Sequence, residues 1–183
     1  MWPGRESSGR PVTRIEVVDA ATFARLIPTA AHIYGAAMAR PPEMVVQRRE
    51  IMQTHIMRRG FTAVTATGDE LVGFGYGYHG RQGEWWHDVV ADALGRVAAR
   101  RWLRNAFELA ELHVRPDEQG AGIGRRLLDT LLGAAAGRTV VLSTHDRDSP
   151  ARRLYRSTGF ADLLDDFVFP GSSEVYAVMG LER

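Results

Sequence analysis

The stretch FELAELHVRPDEQGAGIGRRLLDTLL, residues 107–132, decides the fold because it predicts a strand, a turn and a helix in immediate succession. Alternating apolar residues over 107–114 indicate a strand, and Pro116 ends it because proline cannot donate to a β-ladder. Apolar residues then recur at helical spacing, which predicts a helix with one buried face. These residues are Ile123, Leu127, Leu128, Leu131 and Leu132.

Gly120, Gly122 and Gly124 occupy the turn and the predicted start of the helix. A glycine inside a helix costs roughly 1 kcal/mol relative to alanine, so three glycines at this place need a reason. Helix N-termini carry unpaired N–H groups and about half a positive charge, and positions without side chains let an anion approach them. Arg125 and Arg126 add full positive charges. The pattern predicts a phosphate-binding turn, with tight strand-to-helix packing as the alternative reason for the glycines.

Two common phosphate-binding patterns do not fit this turn. A P-loop requires Lys followed by Ser or Thr after its last glycine, where this chain has two arginines. A dinucleotide fingerprint requires G-x-G-x-x-G and a second βαβ half with an acidic ribose ligand, and neither is evident. A nucleoside triphosphatase and a dinucleotide-dependent enzyme are therefore not expected.

The same turn resembles the signature V-x-P-x-x-Q/R-x-x-G-x-G/A of the GNAT superfamily of acyl-CoA-dependent N-acetyltransferases. The matching residues are Val114, Arg115, Pro116, Gln119, Gly122 and Gly124. Residues 148–160, DSPARRLYRSTGF, resemble the second signature of that family, A-x-x-x-Y-x-x-x-G-F. The close resemblance covers residues 107–161, and the rest of the chain agrees with the fold without being diagnostic.

The resemblance implies a GNAT fold of the α/β (α+β) class, with a mixed central sheet of about six to seven strands, flanking helices and a splayed parallel pair at the centre. Strands 107–114 and 138–144 are predicted to form that pair. One domain is expected over residues 13–183, preceded by a flexible leader at 1–12. Residues 80–104, rich in aromatics and arginine, are interpreted as an insertion that forms a lid over the acceptor site.

The remaining segments predict strands and helices on either side of the central unit. Pro28 is expected to interrupt the first helical segment. Gly73, Gly75 and Gly77 alternate along one strand and leave one of its faces bare, which favours a helix packed against it. The predicted order is a strand at 14–18, helices at 19–27, 29–38 and 43–59, strands at 61–67 and 71–79, a helix at 151–158, and strands at 160–169 and 173–181.

The resemblance also implies a cosubstrate, acetyl-CoA, and the residues that hold it. The pantetheine arm would pair with the backbone of Leu112, His113 and Val114. Where the family often has Asn, seven residues before the tyrosine of the second motif, this chain has Asp148, and Ser149 is the candidate replacement. The backbone amides implied for the pyrophosphate are those of Gln119, Gly120, Ala121, Gly122, Ile123, Gly124 and Arg125.

Transfer to an amine requires a proton acceptor, because a lysine-type amine with a pKa near 10.4 is almost fully charged at neutral pH. Glu111 on the central strand is the first choice, with Glu108 and His113 as alternatives. Strand parity places Glu111 and His113 on one face and Glu108 on the other, unless a bulge changes the count. A purely positioning role for Glu111 is equally open.

Tyr155 matches the family tyrosine that donates a proton to the departing thiolate, and a plain core tyrosine is the alternative. The predicted function is therefore acetyl transfer from acetyl-CoA to a primary amine of a small molecule or peptide, by direct attack in a ternary complex. A non-catalytic acyl-CoA sensor and a nucleic-acid-binding role for the arginine-bearing insertion are the competing hypotheses. Acceptor identity and a homodimer remain open.

Composition excludes several other classes. The 183 residues include no cysteine, so neither a disulfide nor an acyl-cysteine intermediate is available, and no metal site is predicted. The net charge of +1 does not suggest nucleic acid as a partner, although all 23 basic residues are arginine. No apolar run approaches the ~20 residues of a membrane span, and the N-terminus lacks the apolar core of a signal peptide, so a cytoplasmic location is expected.

Overall fold

The computed structural model describes residues 12–183, so the leader predicted at 1–12 lies outside the described residues apart from Val12. Seven strands are present in this part of the chain: β1 (Arg14–Val18), β2 (Thr62–Thr67), β3 (Leu71–His79), β4 (Ala106–Val114), β5 (Thr139–His145), β6 (Ala161–Phe167) and β7 (Tyr176–Glu182). The helices are α1 (Ala20–Ala37), α2 (Pro42–His55), α3 (Trp85–Trp102), α4 (Ile123–Ala134) and α5 (Pro150–Ser157), with one 3₁₀ turn at Pro116–Glu118.

The strands form a single mixed sheet in the order β1-β2-β3-β4-β5-β7-β6. The neighbours β4 and β5 run parallel, and every other neighbouring pair is antiparallel. Parallel neighbours need a crossover connection, which α4 supplies. The predicted fold class is confirmed, including the parallel pair at the centre of the sheet.

Each face of the sheet is covered by helices. On one face, α4 and α5 bury apolar residues of β4, β5 and β7, among them Phe107 and Met179. On the other face, α1 and α2 pack over β2, β3 and β4 around Phe23 and Tyr76. The helix α3 covers the second half of that same face, where Val90 packs near Val141. The face covered by α1, α2 and α3 is where the acidic side chains of β4 lie.

The expectation that Pro28 interrupts the first helix is wrong, because α1 runs without a break from Ala20 to Ala37. Proline inside a helix costs about 3 kcal/mol through the missing N–H and the steric clash of its ring. Ile27, Ala30 and Ala31 on either side of it are fully buried against the sheet. Burial of this continuous apolar face offsets the local cost.

The bare face of β3 is confirmed as a packing surface for a helix. A Cβ atom added to Gly73 would lie 3.1 Å from Leu127 Cδ1 of α4, and one added to Gly75 would lie 3.6 Å from Leu131 Cδ2. The tyrosines between the glycines consequently point to the opposite face, where Tyr76 and Tyr78 are buried.

Replacing Gly77 with alanine should destabilise the protein by about 3 kcal/mol, because an added methyl overpacks a full site. The new Cβ would lie 2.2 Å from the carbonyl oxygen of Glu108 and 2.4 Å from Phe107 Cε1. The measurement is the urea midpoint at constant m-value. Gly133→Ala is the matched control, since its Cβ would meet no atom within 4 Å. A Gly77→Ala protein as stable as the control would contradict this packing.

The insertion at residues 80–104 is a helix packed on the sheet. Gly95 has φ 74° and ψ 162°, which breaks α3 into two helical halves that point in different directions. The first half packs near β5 and β6 through Val90, and its Trp86 Nε1 donates to Ser143 Oγ of β5 at 3.2 Å. Between residues 12 and 183, no helix has the length and apolar character required to span a membrane.

Candidate active site

The strands β4 and β5 separate after three residue pairs, the last of which is Glu108 with Val141. From there β4 pairs only with β3, and β5 pairs only with β7. The edge of β4 from 109 to 114 that faces β5 therefore has free backbone groups, and an extended ligand can pair with such an edge as an added strand. Of the predicted pantetheine contacts, Leu112 and Val114 present their backbone groups to this edge, whereas the carbonyl oxygen of His113 faces Gly73 of β3. The carbonyl oxygen of Val114 already accepts from Gln119 Nε2.

The turn between β4 and α4 presents a row of unpartnered amides. Gly120 and Gly122 have φ values of 80° and 77°, a left-handed conformation that favours glycine, and no side chain caps the helix. Within residues 12–183, the N–H groups from Gly120 to Arg125 have no acceptor, and the first one that does is Arg126, which donates to Gly122 O at 3.1 Å. A Cβ on Gly120 or Gly122 would meet nothing within 4 Å, so the turn is open to a ligand.

The side chains of the two arginines at the end of the amide row, Arg125 and Arg126, form hydrogen bonds with other parts of the protein. The Arg125 guanidinium donates to Thr158 Oγ1 at 3.0 Å and to Ser157, and Arg126 Nη2 donates to Thr13 O at 2.9 Å. All of these acceptors are neutral oxygens, so both guanidinium groups keep their positive charge near the turn, and the expectation that they add charge there stays a prediction. Gln119 Nε2 donates to Val114 O at 2.9 Å and ties the turn to the strand.

A bulge in β4 changes which face its side chains reach. Tyr76 of β3 pairs with Glu111 and Gly77 pairs with Leu109, so Ala110 has no partner in the register. Both carboxylates consequently point toward the face covered by α1 and α2. The parity count that separated Glu108 from Glu111 is corrected by this extra residue, as the sequence interpretation allowed.

Glu111 is 5% exposed, and both of its carboxylate oxygens are occupied. Oε1 accepts from Arg48 Nη1 at 2.9 Å, and Oε2 lies 2.5 Å from His113 Nε2. Burial alone would raise the pKa of Glu111, but the hydrogen bond from His113 and the charge of Arg48 outweigh it and lower the pKa. A carboxylate held ionised by two partners is a poor proton acceptor, but it can fix the positions of the side chains that bind it.

Glu108 is 4% exposed and has a different environment. Its Oε1 accepts from the Tyr78 hydroxyl at 2.8 Å, whereas its Oε2 is buried and has no partner among residues 12–183. Burial raises the pKa of Glu108 to about 7, although the Tyr78 hydrogen bond and the charge of Arg58 act in the opposite direction. A free oxygen and a pKa close to neutral are the properties required of a general base.

His55 of α2 completes the polar wall beside Glu108. Its Nδ1 lies 3.0 Å from the Tyr76 hydroxyl and its Nε2 lies 3.4 Å from the Tyr78 hydroxyl. Burial, with the charge of Arg58, lowers the pKa of His55 to about 4, so the ring is neutral at physiological pH. Tyr76 and Tyr78 are fully buried core residues whose hydroxyl groups contact His55 and, for Tyr78, Glu108.

Tyr155 of α5 is 6% exposed, and its hydroxyl has no hydrogen-bond partner within residues 12–183. Its ring meets Phe160 in an edge-to-face contact with centroids 5.6 Å apart. Burial raises the pKa of Tyr155, and the negative charge of Glu111 raises it further, so the phenol keeps its proton.

The start of α5 is fixed by side chains around the second motif. Ser149 Oγ accepts from Arg152 N at 3.1 Å and caps the helix, which leaves its hydroxyl proton available to a ligand. Asp148, in the place of the family asparagine, is exposed and pairs with Arg153 at 2.6 Å. Arg152 is buried and bonded to Asp146, Asp162 and Asp165, which anchors α5 to neighbouring segments.

Sequence reasoning missed the contribution of α2. Arg48, Met52 and His55 recur at helical spacing, which places two polar residues on the same face as a fully buried methionine. Polar residues on the apolar face of a helix were the sequence feature that could have indicated a role for α2 in the site. As for metals, residues 12–183 contain no group of three or more His, Asp or Glu side chains arranged to hold an ion.

Comparison with known proteins agrees with this geometry. The family described as Acetyltransferase (GNAT) domain matches residues 58–162. A GCN5-like protein acetyltransferase of Mycobacterium tuberculosis is 32% identical over an alignment of 179 positions, and the match covers 81% of this chain and 87% of the relative.

Two solved structures show the same fold. The ribosomal-protein-S18-alanine N-acetyltransferase from Escherichia coli superimposes with a TM-score of 0.63 at 20% identity, over 93% of this chain and 94% of that one. The PaiA N-acetyltransferase from Thermoplasma acidophilum, solved in complex with coenzyme A, gives a TM-score of 0.60 at 16% identity, over 94% and 99%. At these identities the likeness concerns the fold.

Proposed function

Because the chain belongs to the GNAT acetyltransferase family, we propose that it transfers the acetyl group of acetyl-CoA to a primary amine of a peptide or small molecule, by direct attack in a ternary complex. The observation that supports this most strongly is the combination of two adjacent features. The row of unpartnered amides from Gly120 to Arg125 suits a diphosphate, and the free edge of β4 next to it suits an extended pantetheine arm.

The chemistry requires one proton to be removed and one to be supplied. The amine nitrogen attacks the thioester carbonyl, a C–N bond forms, and the C–S bond breaks. Glu108 accepts the proton from the amine at its free Oε2, directly or through water, and Tyr155 donates its phenolic proton to the sulfur that leaves. A free N–H on the edge of β4 polarises the carbonyl oxygen, a contribution of roughly 3 to 4 kcal/mol in comparable sites.

This assignment gives Glu111 a positioning role in place of the base role that was first expected. Its ion pair with Arg48 and its hydrogen bond with His113 connect α2 to β4 beneath the acceptor site. Arg48 also lies 4.7 Å above the ring of Tyr34 of α1. Glu111 thus holds both helices in register with the strand that carries Glu108.

A peptide or protein amine is the acceptor class that the relatives favour. The Mycobacterium tuberculosis relative is named a protein acetyltransferase, and the Escherichia coli structure is an N-acetyltransferase of a ribosomal-protein alanine. Trp86 of the insertion 80–104 contacts Ser143 of β5, which lies beyond the last residue pair of β4 and β5. We therefore propose that the insertion forms one wall of the acceptor site. A panel of peptides and small amines assayed by thiol release would identify the acceptor.

Ala121→Glu should weaken acetyl-CoA binding at least tenfold, since a carboxylate next to the amide row repels the diphosphate and tenfold corresponds to about 1.4 kcal/mol. Ala121 is exposed, so the fold should tolerate the change. Titration calorimetry measures the affinity. Ala136→Glu, also exposed and placed after the far end of α4, makes the same change in net charge and should bind normally. No heat from the unmodified protein at millimolar acetyl-CoA would refute the proposed function.

A further inference from the structure

A groove lies at the end of the sheet opposite the gap between β4 and β5. It has a volume of about 750 Å³ and is bounded by the second half of α3, the starts of β4 and β5, and the end of β7. Since β4 and β5 separate only at their carboxyl ends, this groove and the proposed coenzyme site are at opposite ends of the same strands. Its charged lining consists of Arg100, Arg101, Arg104, Arg138, Arg183 and Glu182, a set we name the arginine groove.

The arginine groove has a much larger excess of positive charge than the protein as a whole. The chain has 23 basic and 22 acidic residues, whereas the groove brings five guanidinium groups together with one carboxylate side chain. Such a local excess raises the concentration of anions at the groove.

Three of the five arginines are free to bind a ligand. Arg101 Nε donates to Glu182 at 2.8 Å, and Arg183 Nη1 donates to Ala135 O at 2.5 Å. Within the part of the chain that the structure describes, Arg100, Arg104 and Arg138 have neither an ion pair nor a side-chain hydrogen bond. The groove therefore has unused donors as well as unbalanced charge.

A row of charges along one helix is usually a solvated face, but this set has another origin. The arginines come from three places in the chain: α3 and the turn after it, the segment before β5, and the end of β7. The break at Gly95 turns the second half of α3 across the strand starts, and Trp102 fixes it there. Thr139 Oγ1 donates to Trp102 O at 2.7 Å, and the indole packs against Gly180 of β7. The arginines are therefore held on a rigid frame.

We propose that the arginine groove binds the phosphate groups of an anionic ligand, the chemistry that a nucleic-acid backbone and a free polyphosphate share. A guanidinium group offers a planar fork of donors that matches phosphate oxygens. An acidic peptide fits less well, since stable peptide binding relies on buried apolar anchors and Val97, 88% exposed, is the large apolar side chain that the groove offers. This proposal is independent of acetyl transfer.

The test is fluorescence anisotropy of a labelled single-stranded RNA of about 12 nucleotides, within the usual range of binding-site sizes, over a series of salt concentrations. Arg100→Glu/Arg104→Glu removes two free groove arginines. Arg49→Glu/Arg96→Glu changes the net charge equally at exposed residues outside the groove. Inorganic triphosphate and a poly-glutamate peptide serve as competitors, and saturating coenzyme A occupies the proposed acetyl-CoA site.

The groove double variant should raise the Kd for RNA at least tenfold and make the plot of log K against log salt shallower by about 1.4, since each phosphate contact to a single strand contributes about 0.7. The control double variant should bind within twofold of the unmodified protein. If triphosphate competes with RNA, the groove recognises the phosphate group itself. If RNA binds and triphosphate does not compete, the groove recognises a polymer backbone. Thermal melting establishes that both variants fold, and Arg100→Gln/Arg104→Gln repeats the test without charge reversal.

Three results would overturn the proposal. The first is absence of binding to RNA and to triphosphate at low salt. The second is binding that the groove variants leave unchanged or that coenzyme A displaces, which would locate the anion at the turn before α4. The third is poly-glutamate bound as tightly as RNA, which would indicate a general attraction for acidic polymers.

Discussion

Glu108→Gln should lower kcat/KM by about 10²- to 10⁴-fold, the usual contribution of a general base, while acetyl-CoA affinity stays within about twofold. The amide fills the same volume and can still accept from the Tyr78 hydroxyl, which now donates at 2.8 Å to Oε1. Its free end can no longer accept a proton from the amine. The measurement is steady-state thiol release with a saturating acceptor, together with calorimetry of the coenzyme.

The matched control is Glu111→Gln, because it makes the same chemical change three residues away on the same face. It breaks the ion pair with Arg48, so we expect it to lower the free energy of unfolding and to raise KM for the acceptor more than it lowers kcat. If Glu111→Gln abolished turnover in a folded protein while Glu108→Gln remained active, the two roles assigned here would be reversed.

The pH dependence separates base catalysis from simple deprotonation of the acceptor. Glu108 must be ionised to accept a proton, and burial raises its pKa to about 7, so activity should rise with pH in a limb centred near pH 7. An amine acceptor with a pKa of about 7.7 to 10.4 adds a second limb at higher pH. Glu108→Gln should lose the limb near pH 7 and keep the other one.

The same raised pKa has a consequence for stability with a definite sign. Folding raises the pKa of Glu108 above the ordinary glutamate value of 4.5, so the folded state binds the proton more tightly than the unfolded state does. This contribution to stability is complete below about pH 4.5 and is lost as the pH rises to about 7. The glutamine variant should therefore gain stability relative to the unmodified protein across that interval, which urea unfolding at several pH values would measure.

Tyr155→Phe should lower kcat about 10²-fold and leave acetyl-CoA binding and the melting temperature nearly unchanged. The hydroxyl has no hydrogen-bond partner within residues 12–183, so its removal leaves no described donor or acceptor unsatisfied. The phenol keeps its proton through the working range because burial raises its pKa. Loss of turnover without loss of binding would assign proton donation to this group.

Tyr176→Phe provides the control, since it removes a phenol on β7 whose hydroxyl donates to Glu174 at 2.9 Å. Unchanged turnover in Tyr155→Phe, with the control equally active, would make Tyr155 a packing residue. Detectable acetyl transfer by the unmodified protein to any acceptor in the panel would exclude the alternative hypothesis of a non-catalytic acyl-CoA sensor.

The features that the sequence predicted well depend on local chemistry. The glycines at 120 and 122 indicate a turn with an unusual backbone conformation, and the apolar spacing from Ile123 onward indicates an amphipathic helix. The strand, the turn and the helix were therefore all predicted correctly. The packing role of the bare face of β3 could also be predicted, because a strand face formed by alternating glycines favours close packing against another element. The splayed pair followed from the family resemblance and is confirmed by the register of β4 and β5.

The features that could not be predicted depend on residues far apart in the chain. The bulge at Ala110 exists only in the pairing of β4 with β3, so counting along β4 alone placed Glu108 on the wrong face. The ion pair on which we base the proposed positioning role of Glu111 is made with Arg48, 63 residues away in the chain. Pro28 shows that burial of a whole helix face can outweigh a local preference that a sequence window measures in isolation.

The glycine face of β3 lets α4 pack closely against the sheet, and this packing connects the two parts of the proposed coenzyme site. Leu127 and Leu131 of α4 rest directly on that strand, and the N-terminus of the same helix carries the amides proposed to face the diphosphate. The strand β4, whose free edge would receive the pantetheine arm, is hydrogen-bonded to β3 along its other edge. A methyl group inserted beneath the helix would tilt one half of the site against the other, so coenzyme affinity would report on core packing at a strand that the ligand never touches.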